Sequence, residues 1–381
     1  MRTDWLQAVI WLHDGLLIEW LFAIALLSAE KAAKHTHRGA FSAKRGQNVG
    51  LYKQYQLRNL GRGPARMSEL HDWQSVQAPL RVLTLDGGGA KGFYTLGVLK
   101  EIEAMIGCPL HQRFDLVFGT STGAIIASLI ALGHGIDSIL ELYREYVPAV
   151  MSQTTAHARS AALKKLASEV FGDATFGDVK TGIGVVTAKW LTERPMIFKG
   201  SVTQAHGRVG TFLPGFGVSI ADAVKASCSA YPFFERTVVR TSSGEDIELI
   251  DGGYCANNPT LYAIADAVRA LKRDLKEIRL VSVGVGVYPD PKPSLLMWLA
   301  KKYLVSVQLL QKTLEINTQS MDQLRQILFH DVPTIRISDT YVTPEMATDL
   351  LEHDLKKLSI LFQRGRESFA SREKQLREYL M

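Results

Sequence analysis

The sequence predicts an α/β fold with three layers, a mostly parallel central sheet and a helical C-terminal tail. From about residue 80, short runs rich in leucine and β-branched residues alternate with stretches whose apolar residues recur at helical spacing. This alternation is typical of proteins that pack helices on a largely parallel sheet. After Pro293 the helical spacing dominates, which predicts the tail.

The predicted elements follow one another along the chain. Five runs have strand character, namely RVLTL (81–85), FDLVFG (114–119), IGVVTA (183–188), IELID (247–251) and IRLVSVGVG (278–286). Four stretches between them have helical spacing, namely FYTLGVLKEIEAMIG (93–107), STGAIIASLIALG (121–133), ADAVKASC (221–228) and PTLYAIADAVRALKRDL (259–275). Gly107 and Gly133 end the first two helices, and TIRIS (334–338) predicts a strand within the tail.

These patterns divide the chain into three parts. Residues 1–66 are expected to form an apolar helix and a basic linker, residues 79–290 the α/β domain, and residues 291–381 a mainly helical extension that packs on that domain. A chain of 381 residues is long enough to bury a substantial core.

The positive charge of the chain is confined to one short segment. The formal net charge is +6, but residues 31–66 hold nine Lys or Arg and no acid, whereas residues 67–381 hold 34 residues of each sign. The basic character therefore says nothing about the main domain, and the segment is interpreted as a solvated linker. We expect no nucleic-acid partner.

The N-terminal residues 5–29 are candidates for contact with a membrane. The stretch is long enough to span a bilayer, but Asp14 and Glu19 interrupt it. Two central acids cost about 2.5 to 3.5 kcal/mol each. This cost cancels the gain from the twelve Leu, Ile, Val and Phe residues of the stretch, which is about 0.3 to 0.6 kcal/mol for each. A helix lying in the membrane interface is therefore favoured slightly over insertion.

The cysteines indicate the compartment. Cys108, Cys228 and Cys255 form neither an even framework nor a CxxC pair, so neither disulfides nor a zinc site is favoured. A reducing setting is the better match. We expect a cytoplasmic protein that associates with the inner face of the membrane through residues 1–30.

One serine lies between two glycines where a strand is expected to turn into a helix. The segment Gly119-Thr-Ser-Thr-Gly123 has the G-x-S-x-G form of a nucleophile elbow, in which the sharp turn requires small flanking residues and the hydroxyl of Ser121 projects from it. The N-terminal end of the new helix favours an anion forming nearby. A serine N-cap with two glycines for close packing is the structural alternative.

A glycine-rich turn follows the first strand. The segment Asp86-Gly-Gly-Gly-Ala-Lys-Gly92 leaves backbone amides bare, and bare amides bind phosphates or oxyanions. The Walker spacing fails because Gly92 follows Lys91, and the dinucleotide fingerprint fails as well. We interpret the loop as an oxyanion hole.

A serine nucleophile also needs a base. His330 is the best placed of the ten histidines, but none of them lies at a glycine-flanked strand end. Asp251 does, because it ends IELID and is followed by Gly252 and Gly253. A turn-forming aspartate is the structural alternative, yet a carboxylate within reach of a hydroxyl can act as its base.

The three motifs, in this order, resemble those of the patatin-like phospholipase family. The resemblance covers roughly residues 79–290 and includes the segments ASCSAYPFF (226–234) and ANNP (256–259). It implies a Ser–Asp dyad without histidine, with Ser121 as nucleophile, Asp251 as base and the amides of Gly87, Gly88 and Gly89 as the oxyanion hole. The remaining motif positions are Asp86, Lys91, Gly92, Gly119, Gly123, Gly252 and Gly253, and Lys91 departs from the arginine that many members carry.

The prediction is a serine lipid acyl hydrolase of phospholipase A type that acts on membrane phospholipid. Ser121 would attack a glycerolipid ester, and a water activated by Asp251 would release the acyl group, so no metal or organic cofactor is needed. Two alternatives stay open. One is a non-catalytic nucleotide- or phosphate-binding module that uses the DGGGAKG loop, and the other is a triad hydrolase that uses His330.

The order of a patatin core followed by a helical tail also resembles bacterial patatin-like effectors that cyclic dinucleotides switch on in antiphage defence. This resemblance implies a cyclic dinucleotide activator, although no residue in the sequence identifies its pocket. The apolar spacing in residues 295–316 suits either packing over the site or pairing of subunits in a homo-oligomer. A lipase without a nucleotide switch is the alternative.

Overall fold

The structure is a computed structural model that describes residues 78–291 and 301–381, with side chains from residue 308 in the second range. One sheet contains eight strands, namely β1 (Leu80–Leu85), β2 (Leu116–Thr120), β3 (Gly182–Lys189), β4 (Pro195–Lys199), β5 (Thr237–Arg240), β6 (Asp246–Asp251), β7 (Ile278–Val283) and β8 (Thr334–Ile337). The predictions for residues 1–66 lie outside the described residues.

The described α-helices lie between and after these strands. They are α1 (Gly92–Ile106), α2 (Leu110–Arg113), α3 (Thr122–Leu132), α4 (Ile136–Met151), α5 (Ala156–Phe171), α6 (Ile220–Ser227), α7 (Gly253–Ala256), α8 (Thr260–Ala265), α9 (Lys301–Leu328), α10 (Leu355–Ala370) and α11 (Glu373–Leu380). Among the residues that the structure describes, none of these helices is both long enough and apolar enough to span a bilayer.

The sheet is mostly parallel. The pairing order is β5-β6-β3-β2-β1-β7-β8, with β4 also paired to β3. Strands β3, β2, β1, β7 and β8 run parallel, whereas β4 and β6 pair with β3 in the antiparallel sense and β5 pairs antiparallel with β6.

Side chains of the central strands alternate between two cores. Leu83 and Leu85 of β1 pack in one buried cluster with α1 and α3, and Leu80 and Val82 pack in a second cluster with α8. Strands buried on both faces in this way carry nearly continuous apolar sequence. The predicted three-layer α/β fold with a mostly parallel sheet is confirmed.

The strand registers bring the ends of β2 and β6 together. Thr120 lies opposite Val186 of β3, and Asp251 lies opposite the next residue, Thr187. β4 pairs with the other edge of β3 at both positions. The antiparallel β6 and the parallel β2 therefore approach each other along one edge, so their carboxyl ends meet.

Two strands, one helix end and the helices α2, α4 and α5, which were not among the elements named from the sequence, differ from the sequence expectation. The strands β4 and β5 were not predicted, because the first begins at a proline and the second is four residues long and exposes alternate side chains. The helix expected over residues 259–275 comprises α8 and a π-helical turn at Asp266–Ala270. It ends there because Lys272 adopts a left-handed φ of 57°.

After residue 301 the chain contains the helices α9, α10 and α11 and the strand β8, which extends the sheet beside β7. Helix α10 packs along α1, and α9 lies on α7 and α8. The expected division at residue 290 therefore falls inside a sheet to which both sides contribute.

Candidate active site

Ser121 lies in the sharp turn between β2 and α3. Its φ of 53° and ψ of −123° form a conformation that costs an L-residue about 1–3 kcal/mol and that is found mainly at functional sites. A Cβ at Gly119 would lie 2.2 Å from the carbonyl oxygen of Gly123, and one at Gly123 would lie 2.3 Å from that of Leu85. Both flanking positions therefore require glycine.

The hydroxyl of Ser121 does not cap α3, so it is available for other contacts. The backbone amide of Ser121 donates to Oγ of Ser227 at 2.9 Å. Oγ of Ser227 in turn donates to the carbonyl of Val186 at 2.6 Å. The turn is thus fixed to β3, while the Ser121 side chain lines an adjacent cavity.

Asp251 lies at the end of β6, with 2% of its surface exposed. The Gly253 amide donates to its Oδ1 at 2.7 Å, and Asp251 lines the same cavity as Ser121. Gly252 allows the turn, because a Cβ there would lie 2.2 Å from the Val186 carbonyl oxygen. Burial raises the pKa of Asp251 to about 7, against the lowering effects of the Gly253 amide and the nearby Ser121 hydroxyl. A carboxyl group with this pKa can accept a proton from serine near neutral pH.

The raised pKa of Asp251 makes a stability prediction. Its pKa rises from the ordinary value of 3.8 to about 7 on folding, so the buried carboxyl destabilises the protein increasingly as pH rises through this interval. The change Asp251→Asn removes that cost. We expect the melting temperature of Asp251→Asn, relative to wild type, to be higher at pH 8 than at pH 4. Calorimetry at both values checks this, and an equal difference at the two pH values would contradict it.

Cys228, for which the sequence predicts no role, lines the same cavity as Ser121 and Asp251. Its thiol is buried, and burial raises the pKa of the thiol well above its ordinary value. The thiol is therefore a neutral neighbour of Ser121. The backbone around it also supports Asp251, whose amide donates to the carbonyl of Ser229 at 3.0 Å.

The glycine loop presents two of its three expected amides. The Gly87 amide donates to the carbonyl of Asn257 at 2.9 Å, and Nδ2 of Asn257 donates to the Gly87 carbonyl at 3.2 Å. Among the described residues, the amides of Gly88 and Gly89 have no hydrogen-bond acceptor. We therefore expect only the Gly88 and Gly89 amides to form the oxyanion hole, because the Gly87 amide already donates to Asn257.

Asp86 anchors this loop through a partner that sequence reasoning missed. Nη1 of Arg336, on β8, donates to Oδ1 of Asp86 at 2.9 Å, and Nη2 bonds the second oxygen. Asp86 is 1% exposed, so the pair is buried beneath the loop. No short-range pattern could link two residues 250 positions apart.

Lys91 and Gly92 do not reach Ser121 through polar contacts. Nζ of Lys91 is buried, 3.7 Å from Oε1 of Glu315 on α9, and burial lowers the lysine pKa. Gly92 begins α1 against Thr122, whose Oγ1 would lie 2.5 Å from a Cβ. These two motif residues thus hold the loop against α9 and α3.

The cavity beside Ser121 is narrow and mostly apolar. It has a volume of about 60 Å³. Its walls include apolar side chains from α4, α5 and α9 and the loop before α10, among them Val147, Val150, Met151, Leu163, Leu166, Leu314 and Leu350. No histidine of the described ranges lines this cavity. His330 is 72% exposed and lies 3.6 Å from Asp331, so the structure gives the alternative triad no support.

Comparisons with known proteins identify the family of the chain. Residues 83–264 match the family model of the patatin-like phospholipases. A cUMP-AMP-activated phospholipase of Escherichia coli is 73% identical over 301 residues, which cover 79% of this chain and 94% of that protein. A cGAMP-activated phospholipase of Vibrio cholerae is 25% identical over 239 residues, 56% of this chain and 65% of the relative.

The crystal structure of VipD from Legionella pneumophila aligns with 79% of this chain and 67% of its own, at 15% identity and a TM-score of 0.42. The family match and the 73% identity confirm the resemblance inferred from the three motifs. The chain belongs to the patatin-like phospholipase family, and it is a hydrolase.

Proposed function

We propose that the chain is a phospholipase A that uses Ser121 as nucleophile and Asp251 as base. The observation that carries the proposal is that Ser121, in its constrained turn, and the buried carboxyl of Asp251 line the same cavity. A nucleophile and base within hydrogen-bond reach are the minimum unit of covalent ester hydrolysis.

The reaction proceeds in two steps. Asp251 takes the proton of Ser121 as Oγ attacks the ester carbonyl, and the Gly88 and Gly89 amides donate to the resulting oxyanion. The lysophospholipid leaves with the proton from Asp251. A water deprotonated by Asp251 then attacks the acyl-enzyme and releases the fatty acid.

The apolar cavity suits the acyl chain of a phospholipid, but it is too small to hold one. Ligand sites usually enclose about 300–1,000 Å³, and this one has about 60 Å³. Two leucines lie in its wall, namely Leu314 on α9 and Leu350, which follows the 3₁₀ turn Pro344–Met346. Movement of these segments would admit the chain, so access to the cavity is a point at which activity can be controlled.

A cyclic dinucleotide is the proposed activator. A relative that is 73% identical is a cUMP-AMP-activated phospholipase, and the small cavity is consistent with an enzyme that needs a second ligand. We include in the proposal a role in antiphage defence and attachment to the inner face of the membrane through residues 1–30. A homo-oligomer remains part of the proposal because residues 295–316 have apolar spacing.

The activator is tested on phospholipid vesicles. The full chain should hydrolyse phospholipid slowly alone and at least about tenfold faster with cUMP-AMP, which requires about 1.4 kcal/mol of preference for the active state. Fatty-acid release measured across a panel of cyclic di- and trinucleotides checks this. Full activity without nucleotide, unchanged across the panel, would leave a phospholipase without this switch.

A further inference from the structure

We propose that the activating cyclic dinucleotide binds in a cavity beside β4, here called the β4 cavity, an inference that rests on the proposed activation. The cavity encloses about 540 Å³, within the range of about 300–1,000 Å³ usual for ligand sites. It is distinct from the cavity that Ser121 lines, since the two share no lining residue.

The walls of the β4 cavity combine cationic groups with aromatic rings. Lys199, His206 and Arg208 supply the nitrogen groups. The aromatic rings are those of Phe212, Phe216 and Tyr262, and each of these residues is at least partly exposed. Phosphate diesters are bound by such donors, and bases stack on such rings. A cyclic dinucleotide has two phosphates and two bases, so it matches both the nitrogen groups and the aromatic rings.

A buried carboxylate positions two of the cationic groups. Asp266 is 2% exposed, and its Oδ1 lies 2.5 Å from Nζ of Lys199 and 2.6 Å from Nε2 of His206. Nε2 of Gln204 donates to its other oxygen at 3.0 Å. An ammonium group has three donors, so Lys199 can hold Asp266 and still donate to a phosphate.

Arg208 is the cation best placed to be free for a ligand. It is exposed, and it makes no ion pair with any residue that the structure describes. The neighbouring His206 and Phe216 adopt left-handed φ values of 49° and 54°. Non-glycine residues in this conformation are concentrated at functional sites such as ligand clamps.

The β4 cavity adjoins elements that build the catalytic site. β4 pairs with β3 at Val186 and Thr187, the residues opposite Thr120 and Asp251. A ligand that draws the loop of Arg208 toward β4 therefore acts on the strand that fixes the serine turn.

A second connection passes through α8. Tyr262 lies on α8, which begins three residues after Asn257. The Asn257 amide donates to Oδ1 of Asn317 at 2.8 Å, and its Nδ2 donates to Oγ1 of Thr318 at 2.7 Å, both on α9. One turn earlier on α9, Leu314 lies in the wall of the catalytic cavity. Ordering of Tyr262 by a stacked base would thus be transmitted to the side chain that narrows that cavity.

Two substitutions in the full chain test the site. Arg208→Glu should weaken cUMP-AMP binding about tenfold or more through loss of a charge-assisted hydrogen bond. Phe212→Ala should weaken it about tenfold through loss of stacking. The matched control is Arg144→Glu, an exposed arginine of α4 outside the cavity. Calorimetric titration gives the affinity, and fatty-acid release gives the nucleotide concentration for half activation and the basal rate.

The expected result is an equal shift of affinity and of half activation in both variants, with unchanged basal rates and an unchanged control. Wild-type activation combined with wild-type affinity in both variants overturns this site and leaves the activation intact. Absence of activation in the wild-type chain overturns the proposed activation together with the site. Loss of binding to anionic vesicles with unchanged nucleotide affinity assigns the surface to lipid and also overturns it. If Arg208→Glu does not fold, Phe212→Ala decides.

Discussion

Replacing Ser121 by alanine is expected to lower phospholipid hydrolysis about 10⁴-fold or more, and Asp251→Asn to lower it by a similar factor. Ser121 supplies the attacking oxygen, and the asparagine side chain cannot accept its proton. Both proteins should stay folded, because neither change opens a large cavity and the Ser121 turn is held by its backbone. Fatty-acid release under full activation measures the loss.

A matched control lies about two helix turns away from Ser121. Ser128 is buried on α3, and its hydroxyl has no hydrogen-bond partner among the described residues, so Ser128→Ala should keep wild-type activity. The double variant Ser121→Ala/Asp251→Asn should be hardly worse than either single variant, because the two groups act as one unit. Substantial activity in Asp251→Asn would show that another group takes the proton.

Replacing Arg336 by methionine is expected to destabilise the fold by about 3–5 kcal/mol, because the Asp86 carboxylate would stay buried without its partner. Hydrolysis should fall as well, because Asp86 anchors the glycine loop. The Gly88 and Gly89 amides of this loop form the proposed oxyanion hole. Urea unfolding and fatty-acid release measure the two effects.

The double variant Asp86→Asn/Arg336→Met separates a lost ion pair from lost packing. It should recover much of the stability, because no unpaired charge remains buried. As a control, Arg240→Met on the exposed strand β5 should change the free energy of unfolding by no more than about 0.5 kcal/mol. Equal destabilisation by the Arg336 and Arg240 variants would contradict the role given to the buried pair.

The parts of the site that sequence could predict are those fixed by local geometry. The glycines around Ser121 and Asp251 are needed because carbonyl oxygens lie where side chains would be. The motif at the end of each of these two strands could therefore be predicted from the local sequence. That the two strand ends meet could not be predicted. It depends on β2 and β6 sharing one edge of β3 while β4, which was not predicted, occupies the opposite edge.

The missed residues are those whose partners are distant in sequence. Arg336 bonds a carboxylate 250 residues earlier, and Asn317 accepts from Asn257 sixty residues earlier. Neither lies in a motif with recognisable spacing. The same limit applies to Gly87, whose amide looked free in the sequence but donates to Asn257 in the fold.

Covalent labelling tests the serine–aspartate chemistry most directly. A fluorophosphonate reacts only with a serine whose oxygen is made nucleophilic by a base, and mass spectrometry locates the adduct. The full chain incubated with cUMP-AMP and vesicles should carry one adduct, on Ser121, with loss of hydrolysis in proportion to labelling. Ser121→Ala should not be labelled, and Asp251→Asn should be labelled far more slowly. Hydrolysis that continues without an adduct on Ser121, or an adduct on another serine that tracks the loss of activity, would contradict the dyad.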